Sequence, residues 1–167
     1  MCKGGKDNFT MRWTDAKVTY NDETKEAFFN LKLTVLKEIS NDFEMTFSFL
    51  KCDSSGNPST CEYRVKDYRN SEVCKYVMMK NQAWSVFTEH FDKPLVCPLK
   101  PGDYNVVRCP IKPDFLRLFP VSDAVWKVNI WDFDKGVAIS CVDVEIQIKP
   151  FFGERNKGLY GIGTKNN

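Results

Sequence analysis

Apolar residues fall at every second position in four stretches of the chain. Phe29, Leu31, Leu33 and Val35 alternate with Asn30, Lys32 and Thr34. Phe43, Met45, Phe47 and Phe49 alternate with Glu44, Thr46 and Ser48. Trp126, Val128 and Ile130 alternate with Lys127 and Asn129, and Val142, Val144, Ile146 and Ile148 with Asp143, Glu145 and Gln147. A period of two sends alternate side chains to opposite faces of a strand. One apolar and one polar face is the mark of an antiparallel sheet wetted on a single side; buried parallel strands are apolar throughout. Residues 38–42 separate the first two runs, and Asp134-Lys135-Gly136 the last two. Both connections have hairpin length and turn chemistry and predict two hairpins. Two further strands are expected over 10–20 and 104–108. Repeated strands with short connections predict an all-β sandwich.

One region breaks this rhythm. Residues 71–91 read SEVCKYVMMKNQAWSVFTEHF. Ser71 suits a helix N-cap. Val73, Val77 and Phe87, with Tyr76, Met78 and Trp84 nearby, form an irregular apolar stripe that predicts one short helix plus loop. Residues 151–167 carry four Gly and end Lys-Asn-Asn, which predicts a flexible tail. A length of 167 residues suits a single domain, placed over 1–150.

Composition sharpens the class. Phe occurs thirteen times in a chain that is 43% hydrophobic, which points to a large apolar interior. Net charge is +2, from 24 basic and 22 acidic residues. With no basic stripe, the balance argues against nucleic acid as a partner. The seven cysteines stand at 2, 52, 61, 74, 97, 109 and 141. None forms the close C-x₂-C pair of a zinc site, and there is one histidine, so no metal site is expected. A disulfide framework and an oxidising compartment follow. The odd count leaves at least one thiol without an intrachain mate. Cys52 and Cys61 flank the polar loop Asp-Ser-Ser-Gly-Asn-Pro-Ser-Thr and could close it.

Secretion is the expected localisation. No stretch reaches the ~20 apolar residues that a membrane span needs. The opening Met-Cys-Lys-Gly-Gly carries no signal peptide and looks like a mature start behind an added Met. Asn8-Phe9-Thr10 matches the N-glycosylation pattern, making Asn8 a candidate site, whereas Asn57-Pro58-Ser59 is excluded by its proline.

Catalytic chemistry finds little foothold. His90, with Glu89 and Asp92 beside it, could serve as a general base, but a loop histidine is the default. There is no G-x-S-x-G elbow and no phosphate-binding glycine loop. No catalytic residue and no cofactor are assigned. The apolar strand faces have two readings: an ordinary filled core, or the lining of a cavity, for which Met is well suited where a pocket adapts to flexible ligands.

Residues 97–104 read Cys-Pro-Leu-Lys-Pro-Gly-Asp-Tyr. Later come Trp126-Lys127-Val128-Asn129-Ile130, a hairpin, and Ile139-Ser140-Cys141-Val142. This order resembles the ganglioside-activator branch of the lipid-recognition (ML) superfamily, with its many insect relatives, where a C-P-x-x-x-G-x-Y segment precedes the last hairpin and a final cysteine. Cys2-Lys3-Gly4-Gly5-Lys6-Asp7, and a phenylalanine-rich strand running into a cysteine-bearing loop, are similar to that branch as well. The likeness covers about residues 2–148. The activator's extra cysteine pair ahead of the C-P motif is missing here, which puts the shape of 75–96 in question.

The resemblance implies an immunoglobulin-like antiparallel sandwich opened into a cup with an internal hydrophobic cavity. It implies the pairs Cys2–Cys141, Cys52–Cys61 and Cys74–Cys97, with Cys109 as the free thiol. The lining would come from Phe29, Leu31 and Leu33, from Met45, Phe47 and Phe49, and from Trp126, Val128 and Ile130. Val77, Met78 and Phe87, with Phe115, Leu118 and Phe119 of the apolar loop over 113–122, would form the lip. Large apolar residues in a loop usually mark a ligand, partner or membrane contact. A splayed interior loses packing contacts. A bridge such as Cys2–Cys141 could offset roughly 4–5 kcal/mol of that loss, and a bound apolar ligand contributes about 25 cal/mol per Å² buried. The function expected is a secreted carrier or presenter of a lipid or other apolar small molecule, with transient membrane contact. Fatty acid, phospholipid, glycolipid, sterol and insect hydrocarbon pheromone suit that lining equally. The alternative is an interaction module with a filled core that docks a receptor or enzyme partner.

Overall fold

In a computed structural model of the chain, eight strands form two antiparallel sheets among the described residues. These are residues 2, 9–21, 23–24, 26–82, 84–111, 124–150 and 160–164, with backbone only at 20, 148–150 and 160–164. The smaller sheet holds β1 (Met11–Asn21), β2 (Glu26–Val35) and β5 (Gly102–Pro110), with β2 central. The larger sheet runs β4 (Glu62–Asn70), β3 (Phe43–Cys52), β6 (Ala124–Asp134), β7 (Val137–Pro150) and β8 (Tyr160–Thr164). Residues from both sheets share one buried cluster, so the fold is the expected all-β sandwich.

All four alternating runs are strands, and the apolar parity of β2 and of the start of β3 packs into the cluster shared by the two sheets. Leu31, Leu33 and Val35 of β2 are buried together with Met11, Tyr104 and Val106 of the flanking strands and with Phe43 and Ile139 of the larger sheet. Regular pairing of β3 with β6 from Phe43↔Asp134 to Cys52↔Val125 carries that orientation along both strands. The predicted hairpin at 134–136 forms, with Lys135 (φ 51°) and Gly136 (φ 78°) as its two central residues. Positive φ at both positions matches the twist of the flanking strands.

The other predicted hairpin does not form. Residues 38–42 carry the chain from the smaller sheet to the larger one, because β2 and β3 lie in different sheets. Ile39, in the middle of this connection, is 1% exposed. Its backbone exchanges two hydrogen bonds with Leu99, of 3.0 and 2.9 Å. Burial of Ile39 draws the loop inward, where a hairpin tip would leave it in water. The first true hairpin joins β1 to β2, and Asn21 Oδ1 accepts from the amides of Glu23 (2.9 Å) and Thr24 (3.2 Å).

Two strands had no counterpart in the sequence pattern. β4 is an edge strand, and most of its side chains are exposed. β8 lies within the stretch expected to be a flexible tail and pairs with β7 from Ile146↔Thr164 to Pro150↔Tyr160. The expected single helix is two short turns, α1 (Val73–Val77) and α2 (Ser85–Thr88). Ser71 does not cap: Glu72 holds the cap position without a side-chain bond, and Asn70 Oδ1 accepts the Glu72 amide at 2.8 Å. α1 contacts β3 and α2 contacts β5, so this segment bridges one flank of the sandwich. At the other flank β1 meets β7 and β8.

Three edge strands carry a bulge, at Asp15 (φ 55°) in β1, Asp67 (φ 48°) in β4 and Arg108 (φ 52°) in β5. Two are pinned by the neighbouring strand. Asn30 Oδ1 accepts the Arg108 amide at 3.0 Å. Ser48 Oγ accepts the Asp67 amide at 2.9 Å and donates to Asp67 Oδ1 at 3.0 Å. Bulges bend and overtwist a strand, which curls a sheet away from a flat sandwich.

The disulfides are Cys2–Cys141, Cys52–Cys61 and Cys74–Cys97, and Cys109 is buried and belongs to none of them. Three bridges fit a chain folded in an oxidising compartment. Among the described residues, no helix is long and apolar enough to cross a membrane.

Candidate functional site

The space between the sheets changes character along the strands. At one end the main cluster packs both sheets together: Leu31, Leu33, Val35 and Val106 from the smaller sheet meet Phe43, Ile139 and Met45 from the larger. At the far end Ala124 (0% exposed), Trp126 (3%) and Ile146 form a separate cluster. All three belong to the larger sheet, and among the described residues no side chain of the smaller sheet joins them.

Between these ends run two rows of inward-facing residues, Phe47–Ile130–Val142 and Phe49–Val128–Val144. Val128 is buried, whereas Phe47, Phe49, Ile130, Val142 and Val144 are half-buried although β3, β6 and β7 are interior strands of their sheet. None of these residues belongs to either cluster. An apolar side chain on the inner face of an interior strand is normally covered by the opposing sheet. Phe47 lies 4.9 Å from the exposed edge residue Tyr68 and Phe49 lies 5.3 Å from Phe47, ring centre to ring centre, so aromatic rings line this band.

The expected lining residues therefore divide. Leu31 and Leu33 are core at the packed end, and Met45 packs against them. Phe47, Phe49 and Ile130 form the half-buried band, with Val128 among them and Trp126 below. Phe29 is half-buried and its ring lies 5.7 Å from that of Phe87, on α2. Val77 packs against the core, but Met78 is 51% exposed and does not point into it. Met79 and Trp84 are exposed beside it, with the Trp84 indole N–H donating to the Tyr76 carbonyl at 2.9 Å. Phe115, Leu118, Phe119 and Asn8 lie outside the described residues. Cys109 faces inward next to Phe29, 5% exposed, with its thiol 3.4 Å from the Val86 carbonyl.

His90 is not joined to a carboxylate by any described bond: its Nδ1 lies 2.5 Å from the Val86 carbonyl oxygen. The Asp92 carboxylate accepts from the Asn105 amide and side chain, at 2.8 and 2.7 Å. Those bonds hold Asp92 below the usual carboxylate range.

One polar residue of the inner face was missed by the pattern. Asp132 continues the inward parity of Trp126, Val128 and Ile130, opposite Met45 on β3 and Ser140 on β7. It is 0% exposed. Its Oδ2 accepts from the Trp13 indole N–H of β1 at 3.4 Å, and its Oδ1 is buried with no hydrogen-bond partner among the described residues. Burial raises its pKa from 3.8 to about 7, against the opposing pull of hydrogen bonds from Ser140 and Trp13. Charge buried with so few donors is costly, so the neutral acid is favoured. A carboxylate at the inward parity of an otherwise apolar strand was the available signal. No protein-family model matches the chain, and no curated protein does.

Proposed function

We propose that this protein binds a lipid or similarly apolar small molecule between its two sheets and carries or presents it outside the cell. The observation that carries this reading is the half-buried band of Phe47, Phe49, Ile130, Val142 and Val144 between a shared core at one end and a one-sided cluster at the other. An aromatic and aliphatic wall left half-covered loses dispersion contacts. An alkyl chain or ring system laid along it restores them. Three disulfides support secretion. The resemblance to the ganglioside-activator branch belongs to the same reading. Transfer requires no chemistry, and the protein acts by shielding apolar surface from water.

In this reading the α1–α2 segment is part of the lip. Exposed Met78, Met79 and Trp84 make the transient membrane contact during loading. The test is an organic extract of the purified protein analysed by mass spectrometry, with displacement of the fluorophore N-phenyl-1-naphthylamine by defined lipids. Stoichiometric lipid and saturable displacement are expected. A lipid-free extract together with no probe binding would overturn the carrier reading in favour of a filled-core interaction module.

A further inference from the structure

Asp132 sits at the boundary between the packed end and the half-buried band. It stands one inward step beyond Ile130, in the row Met45–Asp132–Ser140. Its bond with Trp13 ties β6 of the larger sheet to β1 of the smaller. All three residues are embedded: Asp132 is fully buried, Ser140 is 1% exposed and Trp13 packs against the shared core. A filled apolar core would place an aliphatic residue here. The carboxyl instead spends buried volume on a polar link between sheets and leaves one oxygen without a hydrogen-bond partner among the described residues.

We propose that Asp132 is a proton-controlled latch at the seam it shares with Trp13: the neutral carboxyl stays buried between the closed sheets, and on ionisation the cost of holding a charge away from water outweighs the stronger bond it then accepts from Trp13, which loosens the seam and eases release of whatever occupies the interior. The neutral acid leaves a modest unmet bond at Oδ1. The carboxylate leaves an unmet charge, and relief comes from water reaching it. Regulation of ligand release rests on the carrier reading; the latch itself does not.

The surroundings favour a switch at Asp132 alone. From β1 it faces Trp13, from β3 Met45 and from β7 Ser140. The charged residues of these elements are engaged or exposed elsewhere. Arg12, Asp15 and Lys17 of β1 are exposed. Glu44 pairs with Arg69, and Lys51 lies over the Trp126 ring. Lys127 meets Glu145, Asp134 accepts from Ser40, and Asp143 binds the Cys2 amide and Asn129. None of them contributes to the ionisation of Asp132, which burial, Ser140 and Trp13 set.

The test follows the Trp13 indole N–H by ¹⁵N NMR from pH 5.5 to 8.5, its resonance assigned by its loss in Trp13→Phe. Stopped-flow dissociation of N-phenyl-1-naphthylamine is measured in parallel. With the midpoint at about 7, the ionised fraction rises from about one tenth at pH 6 to about nine tenths at pH 8. The indole resonance should titrate across that range, and probe dissociation should speed up about ninefold if opening follows ionisation. Asp132→Asn should flatten both profiles. Should that variant fail to fold, Trp13→Phe serves instead: loss of its hydrogen bond should move the dissociation midpoint upward. An indole that does not titrate, a titration that survives in Asp132→Asn, or an unmoved midpoint in Trp13→Phe each overturns the latch. If the indole titrates but the probe binds at no pH, the latch stands and the carrier reading fails. If the probe binds and leaves at a pH-independent rate, the carrier reading stands and control of release fails.

Discussion

Leu33 and Phe49 are both apolar strand residues aimed between the sheets, yet their surroundings differ. Leu33 is 2% exposed in the shared core, whereas Phe49 is half-buried in the band between the clusters. Leu33→Ala should cost ~2–5 kcal/mol of stability, the range for a packed core leucine, with little change in probe affinity. Phe49→Ala should cost less stability and more affinity. Equal stability losses with unchanged affinity, read from denaturant melts and probe titrations, would indicate a filled interior. At Asp132 the prediction concerns pH. Its folded pKa of about 7 lies above the unfolded 3.8, so between about pH 4 and 7 the folded state holds more protons than the unfolded one. Stability therefore falls as pH rises through that window and levels off above it. Asp53, Asp92 and Asp103 are shifted the other way by hydrogen bonds from Ser55, Asn105 and Lys32 respectively. Their contribution is present above pH 3.8 and is lost as pH falls through their lowered values. These four groups together place the thermal midpoint maximum at mildly acidic pH, and Asp132→Asn should remove the decline on its alkaline side.

At the scale of elements, turns and bulges carry most of what can be tested. Gly136 has φ 78° with open space around it, so Gly136→Ala meets no clash and costs only backbone strain, about 1 kcal/mol. Ser48→Ala should cost more, on the order of 1–3 kcal/mol, because the Asp67 amide and carboxylate in the β4 bulge lose their partner. The four strands with clean alternation were legible because each has one covered and one wetted face. β4, reading Glu-Tyr-Arg-Val-Lys-Asp-Tyr-Arg-Asn, was not, because an edge strand exposed on most sides has no face to encode. The hairpin expected over 38–42 failed because loop length and turn residues are the same for a tip and for a crossing between sheets. Ile39 was the distinguishing residue, since a solvent-facing tip has no use for a buried isoleucine. The bulges left no trace either: Asp15, Asp67 and Arg108 are ordinary polar residues whose left-handed backbone is dictated by tertiary pairing. For the site, alternation exposed which residues face inward but not which of them the opposing sheet covers, a property set by packing between residues far apart in the chain.

The whole molecule is organised around a contrast between its ends. One end is a conventional core shared by both sheets; at the other, Ala124, Trp126 and Ile146 of the larger sheet form a cluster that no side chain of the smaller sheet joins among the described residues. The flanks are closed by different means, by α1 and α2 spanning β3 to β5 and by β1 against β7 and β8. The Cys2–Cys141 bridge fixes the N-terminal segment to the outer face of β7, where Asp143 binds the Cys2 amide and Asn129 and Phe9 packs edge-on against Trp131. Cys2→Ser with Cys141→Ser should lower stability by roughly 4–5 kcal/mol, from the entropy of a loop this long, measured by denaturant unfolding against the parent. That same bridge has a consequence for cleavage. With residues separated by 139 positions tied together, the backbone is close to a covalent ring. One protease cut anywhere inside it opens the ring without splitting the molecule. A singly nicked sample should run as one species on a non-reducing gel and as two fragments after reduction, and it should refold from denaturant more readily before reduction than after, because its two pieces never diffuse apart.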